Sequence, residues 1–240
     1  MKRSRGFVLA IDGPAGSGKS TTARLCAGRL RFRHLDTGAM YRAVTLKAIR
    51  TGTDIADGHG LARMLRATRV SVDWSRSGMR VRLDGKDVSE AIRSPEVSGY
   101  VSEVSAIPAV RHKMVAEQRR VAAGKTVVCE GRDIGSVVFP DADLKVFIEC
   151  SPVERARRRW LELAESGTRV SLKSVFSNLL KRDRIDSGRE VSPLRRMPDA
   201  VLIDTTHLTV EEQVSVVCDL ARRRCQQFEM QSARCKTHDD

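Results

Sequence analysis

The residues best suited to chemistry stand near the start of the chain. GPAGSGKS fits the spacing G-x-x-x-x-G-K-[ST]: Gly13, Gly18, Lys19 and Ser20 hold the fixed places, Pro14, Ala15, Gly16 and Ser17 lie between them, and Thr21 follows. Glycines let the backbone turn through positive φ and bring its N–H groups close to phosphate oxygens. The loop opens onto a helix N-terminus, which adds partial positive charge. Lys19 can reach the β- and γ-phosphates of a nucleoside triphosphate, and the Ser20 hydroxyl can bind Mg²⁺. An apolar run, FVLAI (7–11), precedes the loop and a helical pattern, KSTTARLCAGRL, follows it, the context that separates this motif from a chance glycine-rich turn. GTPases, motors and small-molecule kinases share the loop, so it does not name the acceptor.

Three further stretches bear on the acceptor. In DTGAMYRA (36–43), Asp36-Thr37-Gly38 reads as a strand end and a helix start, with Thr37 near the N-cap and Tyr41 and Arg42 one turn in. Arg42 reads either as a phosphate clamp or as a solvated helix arginine. EGRDIGSVVFPDA (130–142) directly follows the apolar run TVVC, and open α/β sheets bind ligands beyond the carboxyl ends of their strands. Glu130 could support Mg²⁺ through water, Arg132 could hold an anion and Asp133 could accept from an amino group; a structural Arg–Asp pair is the other reading. In KRDRIDSGREVSPL (181–194), Arg182, Asp186 and Arg189 recur at helical intervals. Two arginines flanking an aspartate suit a sugar phosphate, or form a solvated salt-bridge face.

Short β-branched runs alternate with helical patterns along the chain. FVLAI (7–11), TVVCE (126–130), LKVFIE (144–149) and AVLID (200–204) suit buried strands of a parallel sheet. Helices are expected over 38–49, 108–123, 152–165, 173–183 and 210–228, which makes a doubly wound α/β domain. Residues 68–92 break the pattern: Val70, Val72, Trp74, Met79, Val81 and Leu83 alternate with polar residues, and Ser77-Gly78 and Asp84-Gly85 supply turns. A small antiparallel sheet inserted in the α/β domain is the expectation. The last residues, QQFEMQSARCKTHDD, lack a sustained apolar period and are expected to form a frayed tail.

The 240 residues suit one domain, or one with an insertion, and 4% aromatic content predicts an aliphatic core. No apolar run approaches the roughly 18 residues of a membrane span. The basic start is followed by an apolar stretch, Phe7 to Ile11, too short for a secretion signal, so the expected location is the cytoplasm. Six scattered cysteines form no C-x-x-C pair and are expected as buried free thiols. The net charge of +13 suits either a nucleic-acid groove or a polyphosphate cleft with a solvated basic surface. The basic residues are dispersed apart from RARRR (155–159), and no stacking-aromatic cluster accompanies them, so no nucleic-acid partner is expected.

Taken in order, IDGPAGSGKST, DTGAMYR, EGRDIGSVVFPDA, ERARRR, RDRIDSGREVSPL and DAVLIDTT resemble the bacterial cytidylate kinases, a P-loop nucleoside monophosphate kinase family, from about residue 6 to about residue 225. The resemblance implies a parallel, doubly wound P-loop sheet in a single domain. It places an NMP-binding region with its β insertion at about 38–108, a helical lid at about 152–170 and a tail at 226–240. It implies transfer of the γ-phosphate of ATP to CMP or dCMP with Mg²⁺, by a monomer. Residues 13–21 would hold ATP, and Ser20, with Glu130 through water, would hold the metal. Tyr41, Arg42, Arg132 and Arg189 would surround the acceptor phosphate, Thr37, Ser102, Arg111 and Asp133 would read the cytosine, and Arg182 and Asp186 would face the ribose. Arg155, Arg158 and Arg159 would be lid arginines, mobile in the empty enzyme, and would act with Lys19 and Arg132 on the transferring group. The family often has serine where Thr37 stands and aspartate where Glu130 stands.

An acceptor phosphate is already a nucleophile, so no general base is needed, and the five histidines (34, 59, 112, 207 and 238) are scattered. Rival readings are a P-loop kinase for UMP or for a hydroxyl acceptor, a basic nucleic-acid-binding ATPase, and a nucleotide-binding pseudo-enzyme.

Overall fold

The computed structural model describes residues 6–75 and 78–236, with 229–236 as backbone. The basic start 1–5, Ser77 of the expected turn, the Cys235 side chain and residues 237–240 lie outside the described residues. The apolar runs become the parallel sheet. Strand β1 (Val8–Asp12) is buried throughout and lies between β6 (Val127–Gly131) and β7 (Leu144–Glu149). With β2 (Arg33–Asp36) and β8 (Val201–Asp204) at the edges, the order is β2-β6-β1-β7-β8, all parallel.

Successive side chains of a strand point to opposite faces, so both faces of this sheet need cover. Leu9 and Ile11 pack with Cys26 of α1 (Lys19–Leu30) and with Val214, Val217 and Cys218 of α8 (Val210–Lys236). Val8 and Ala10 face the opposite core, which holds Met40 and Val44 of α2 (Thr37–Arg50) and Met114 of α5 (Pro108–Ala122). The thiols of Cys26, Cys129, Cys150 and Cys218 are free and buried; Cys225 is only half-buried.

The insertion is a three-stranded antiparallel sheet of β3 (Val70–Ser75), β4 (Gly78–Leu83) and β5 (Lys86–Asp87), with Val70 opposite Leu83 and Trp74 opposite Met79. Asp84 and Gly85 turn the chain with φ of 51° and 85°, the paired positive values that a tight hairpin demands.

Several elements depart from the sequence pattern. Helices α3 (Gly58–Ala67) and α4 (Pro95–Ala106) have no counterpart among the expected elements. In α4, Gly99 and three valines weaken the helical signal, yet the Ser94 hydroxyl caps Val97 N and the buried Val97, Val101 and Val104 pack into the core. The helix after α6 (Pro152–Glu165), α7, runs from Leu172 to Gly188, five residues beyond the expected end. The expected tail is helical as far as Lys236, because α8 continues. Thr37 does stand next to the cap of α2, which is Asp36, whose carboxylate accepts from Ala39 N at 3.0 Å. Among the described residues, no helix is long and apolar enough to cross a membrane.

Candidate active site

The carboxyl ends of β1, β2 and β6 open onto one cleft of about 1020 Å³, which the P-loop, α2, α4, α6 and α7 enclose. After β1 the chain turns at Gly13, where a Cβ would lie 2.3 Å from the Ile148 carbonyl oxygen, so no larger residue fits. Gly18, at φ 89°, delivers the chain into α1. Lys19 is buried and donates to Pro14 O at 3.2 Å. Burial, and then the charge of Arg132, push its ammonium down to about 7.

The Ser20 hydroxyl donates to Glu130 Oε2, and His34 Nε2 lies 2.9 Å from Glu130 Oε1. Burial alone would raise the Glu130 carboxyl, but the hydrogen bond from His34 and the charge of Lys19 hold it below its ordinary value. The corner therefore offers a hydroxyl and an ionised carboxylate, oxygen donors that fit a hard divalent cation. Among the described residues, no group of three or more His, Cys, Asp or Glu could hold a metal alone. That fits a cation whose remaining ligands are nucleotide oxygens and water.

The turn after β6 carries the acceptor-side groups. Asp12, at the end of β1, accepts from Ile134 N and Gly135 N at 2.8 Å each and so fastens this turn to the P-loop strand. Burial raises the Asp12 carboxyl to about 6. Arg132 Nε donates to Asp186 Oδ2 at 2.7 Å. Burial works against the Arg132 charge, yet Asp186, with Glu130 and Asp183, outweighs it and strengthens the guanidinium's hold on its proton. Asp133 pairs with Arg111 at 2.5 Å, and both side chains are almost wholly buried. Arg111 also donates to Ser105 O and lies 5.2 Å from the Tyr41 ring centre. Burial, then the Asp133 charge, push the Tyr41 hydroxyl up to about 12. Arg189 lies at the C-terminal boundary of α7, not on its face; its Nη2 is 3.9 Å from Asp133 Oδ1 and its Nη1 is 3.5 Å from Asp186. Burial, then the charges of Arg132 and Arg42, lower Arg182 to about 10.

Three guanidinium nitrogens here, Arg111 Nε, Arg182 Nε and Arg189 Nη2, are buried with no hydrogen-bond partner. A buried unpaired donor costs roughly 1–3 kcal/mol. Convergence of three such donors in one cleft, beside clustered arginines, marks a place for anionic and polar ligand atoms.

The structure brings Lys19, Ser20, Tyr41, Arg42, Ser102, Arg111, Glu130, Arg132, Asp133, Arg158, Arg159, Arg182, Asp186 and Arg189 to this cleft. Arg42 is tied to Ser98 of α4 at 2.8 Å. Thr37 also borders the cleft, but its hydroxyl donates to Glu130 O at 2.7 Å. Arg155 departs from the expectation of a mobile lid arginine. It is buried, donates to Ala15 O and Cys150 O at 3.0 Å each, and pairs with Asp183 at 2.7 Å. Ala156 beside it packs with Ala15 of the P-loop and with Val175 and Leu179 of α7. Arg158 bonds Glu154 and Thr205 O, whereas Arg159 meets Glu162 at the surface. Arg155→Ala is therefore expected to cost about 2–4 kcal/mol of stability in urea melts, since it strands Asp183 and frees the P-loop backbone; a freely moving arginine would leave the midpoint unchanged. Sequence reasoning missed Asp12, His34, Asp183 and Ser98. Only Asp12, directly before the P-loop, carried a positional signal.

A family profile described as cytidylate kinase matches residues 9–235. The chain is 47% identical over 216 residues to a cytidylate kinase of Carboxydothermus hydrogenoformans, covering 90% of this chain and 97% of that one. It is 52% identical over 210 residues to a cytidylate kinase of Pelotomaculum thermopropionicum, covering 87% and 93%. A cytidylate kinase of Caldanaerobacter subterraneus subsp. tengcongensis shares 51% over 215 residues, 90% of this chain and 94% of the relative.

Proposed function

The chain belongs to the cytidylate kinase family, and from that premise we propose how its own residues perform the family's transfer. The enzyme moves the γ-phosphate of ATP to CMP or dCMP, giving CDP or dCDP and ADP. The P-loop amides and Lys19 hold the β- and γ-phosphates of the donor. The acceptor phosphate sits among Arg42, Arg132 and Arg189, in line with the γ-phosphate. Because that phosphate is itself the nucleophile, catalysis is positioning and charge neutralisation. Arg158 and Arg159 of α6 line the same cleft and add positive charge around the transferring group. Ser20 and, through water, Glu130 would hold magnesium, which would supply charge neutralisation of the transferring phosphates.

The observation that carries the acceptor assignment is the buried Arg111–Asp133 pair with Arg189 beside it. Cytosine presents an amino donor where uracil presents an acceptor. Asp133 accepts from that amino group, and Arg111 Nε donates to the acceptor edge. Arg182 and Asp186 face the ribose. One chain supplies every group, so a monomer suffices, and the reading needs no nucleic-acid partner. We also place the enzyme in the cytoplasm, where ATP is supplied.

The test is ADP formation with ATP, Mg²⁺ and each of CMP, dCMP, UMP, AMP and dTMP. Fast turnover with CMP and dCMP and slow turnover with the others is the expected result. Equal rates with UMP would refute the cytosine-reading role of Asp133 and Arg111.

A further inference from the structure

We propose that His34 is a positioning residue for the corner where Ser20 meets Glu130, holding the Glu130 carboxylate in the orientation that supports the metal–nucleotide complex. This rests on the reading above that Ser20 and Glu130 serve magnesium.

The placement begins in the sheet. β2 pairs with β6 so that His34 lies opposite Val128 and Asp36 opposite Glu130. Side chains two apart on a strand share a face, so His34 and Asp36 stand on the same side of β2. Asp36 is the unfavourable neighbour of Glu130: burial, and then the Glu130 charge, raise its carboxyl. The register sets these two acids side by side, and two partners fix the Glu130 carboxyl between them. Ser20 donates to one of its oxygens, and His34 Nε2 meets the other at 2.9 Å. An ionised carboxylate only accepts, so the imidazole nitrogen facing it carries the hydrogen. Glu130 is 2% exposed and His34 18%, which leaves little room for water to replace the imidazole.

The backbone of His34 is fixed as well. Trp74 Nε1, from the antiparallel insertion, donates to His34 O at 2.6 Å. The Trp74 ring lies 5.0 Å from the Arg33 guanidinium and 5.7 Å from the Lys125 ammonium, and Asp36 N donates to Met79 Sδ at 3.4 Å. The insertion thus pins the edge strand, and the edge strand aims the imidazole.

The test is calorimetric affinity for ADP with and without magnesium, which needs no turnover. In the wild-type protein magnesium is expected to strengthen ADP binding. His34→Leu is expected to cut that gain roughly tenfold while metal-free affinity stays unchanged, a loss of the size typical for groups that orient a metal's ligands. His34→Gln, whose side-chain amide can donate from the same place, is expected to restore the gain, and Glu130→Gln to remove most of it. A full gain in His34→Leu alongside a lost gain in Glu130→Gln would overturn the role of His34 alone. Equal weakening with and without magnesium would reduce His34 to a structural residue. An unchanged gain in Glu130→Gln would overturn the metal corner and the His34 proposal with it.

Discussion

Replacing Lys19 with methionine is expected to lower kcat by about 10²–10³-fold, the loss typical of removing one preorganised donor from a developing charge. Lys19 opens α1 directly after the P-loop, where the proposed function puts the donor phosphates, and methionine keeps the length and apolar stem while removing the charge. Lys19 is buried against Pro14 O and its charge also favours the ionised Glu130, but Ser20 and His34 still meet both oxygens of that carboxylate in the variant. The urea midpoint should therefore hold while activity collapses. A second readout isolates the charge. With Lys19 pushed down to about 7 by burial and Arg132, the group is mostly neutral at pH 8 in the empty enzyme. Arriving polyphosphate favours the cation and raises that value again. Binding of preformed Mg–ATP at pH 8 is then accompanied by uptake of close to one proton, read by calorimetry in buffers of different ionisation enthalpy. Lys19→Met should abolish the uptake. Identical proton uptake in the two proteins would remove Lys19 from the donor site.

Asp133→Asn should collapse the preference for CMP over UMP, by roughly tenfold to a hundredfold in the ratio of kcat/KM. That range converts a cost of about 1–3 kcal/mol for a mismatched buried partner. Asparagine keeps the shape, but its amide can turn to accept from cytosine or donate to uracil. The same substitution removes the charge facing Arg111, whose side chain is 1% exposed. Stripping one member from so buried a pair costs about 3–5 kcal/mol, so the variant should melt at markedly lower urea. Loss of stability with an intact CMP preference would show that the pair is structural and that cytosine is read elsewhere.

That alternative was open in the sequence for a physical reason. Arg132 and Asp133 are adjacent, and adjacency in sequence suggests a pair between them. In the fold they part: Arg132 reaches Asp186 and Asp133 reaches Arg111. Asp12 makes the divergence possible by gripping the next two backbone amides. The run RARRR behaves similarly. On a helix its arginines point in different directions, so Arg155 turns inward to the P-loop and Asp183 while Arg157 and Arg159 meet acids near the surface.

The sequence by itself determined the P-loop, the four apolar strands of the sheet and the antiparallel insertion. Each is a local pattern: fixed glycine and lysine spacing, a short apolar run, or strict alternation closed by Asp84-Gly85. It also held the motifs that carried the family resemblance. Only the tertiary structure decided which charges meet. Ser20 and Glu130 are 110 residues apart, Arg132 and Asp186 are 54 apart, and His34 and Glu130 are 96 apart. Neither periodicity nor composition encodes such pairs, because they arise where parallel strands bring distant chain segments to the same edge of one sheet.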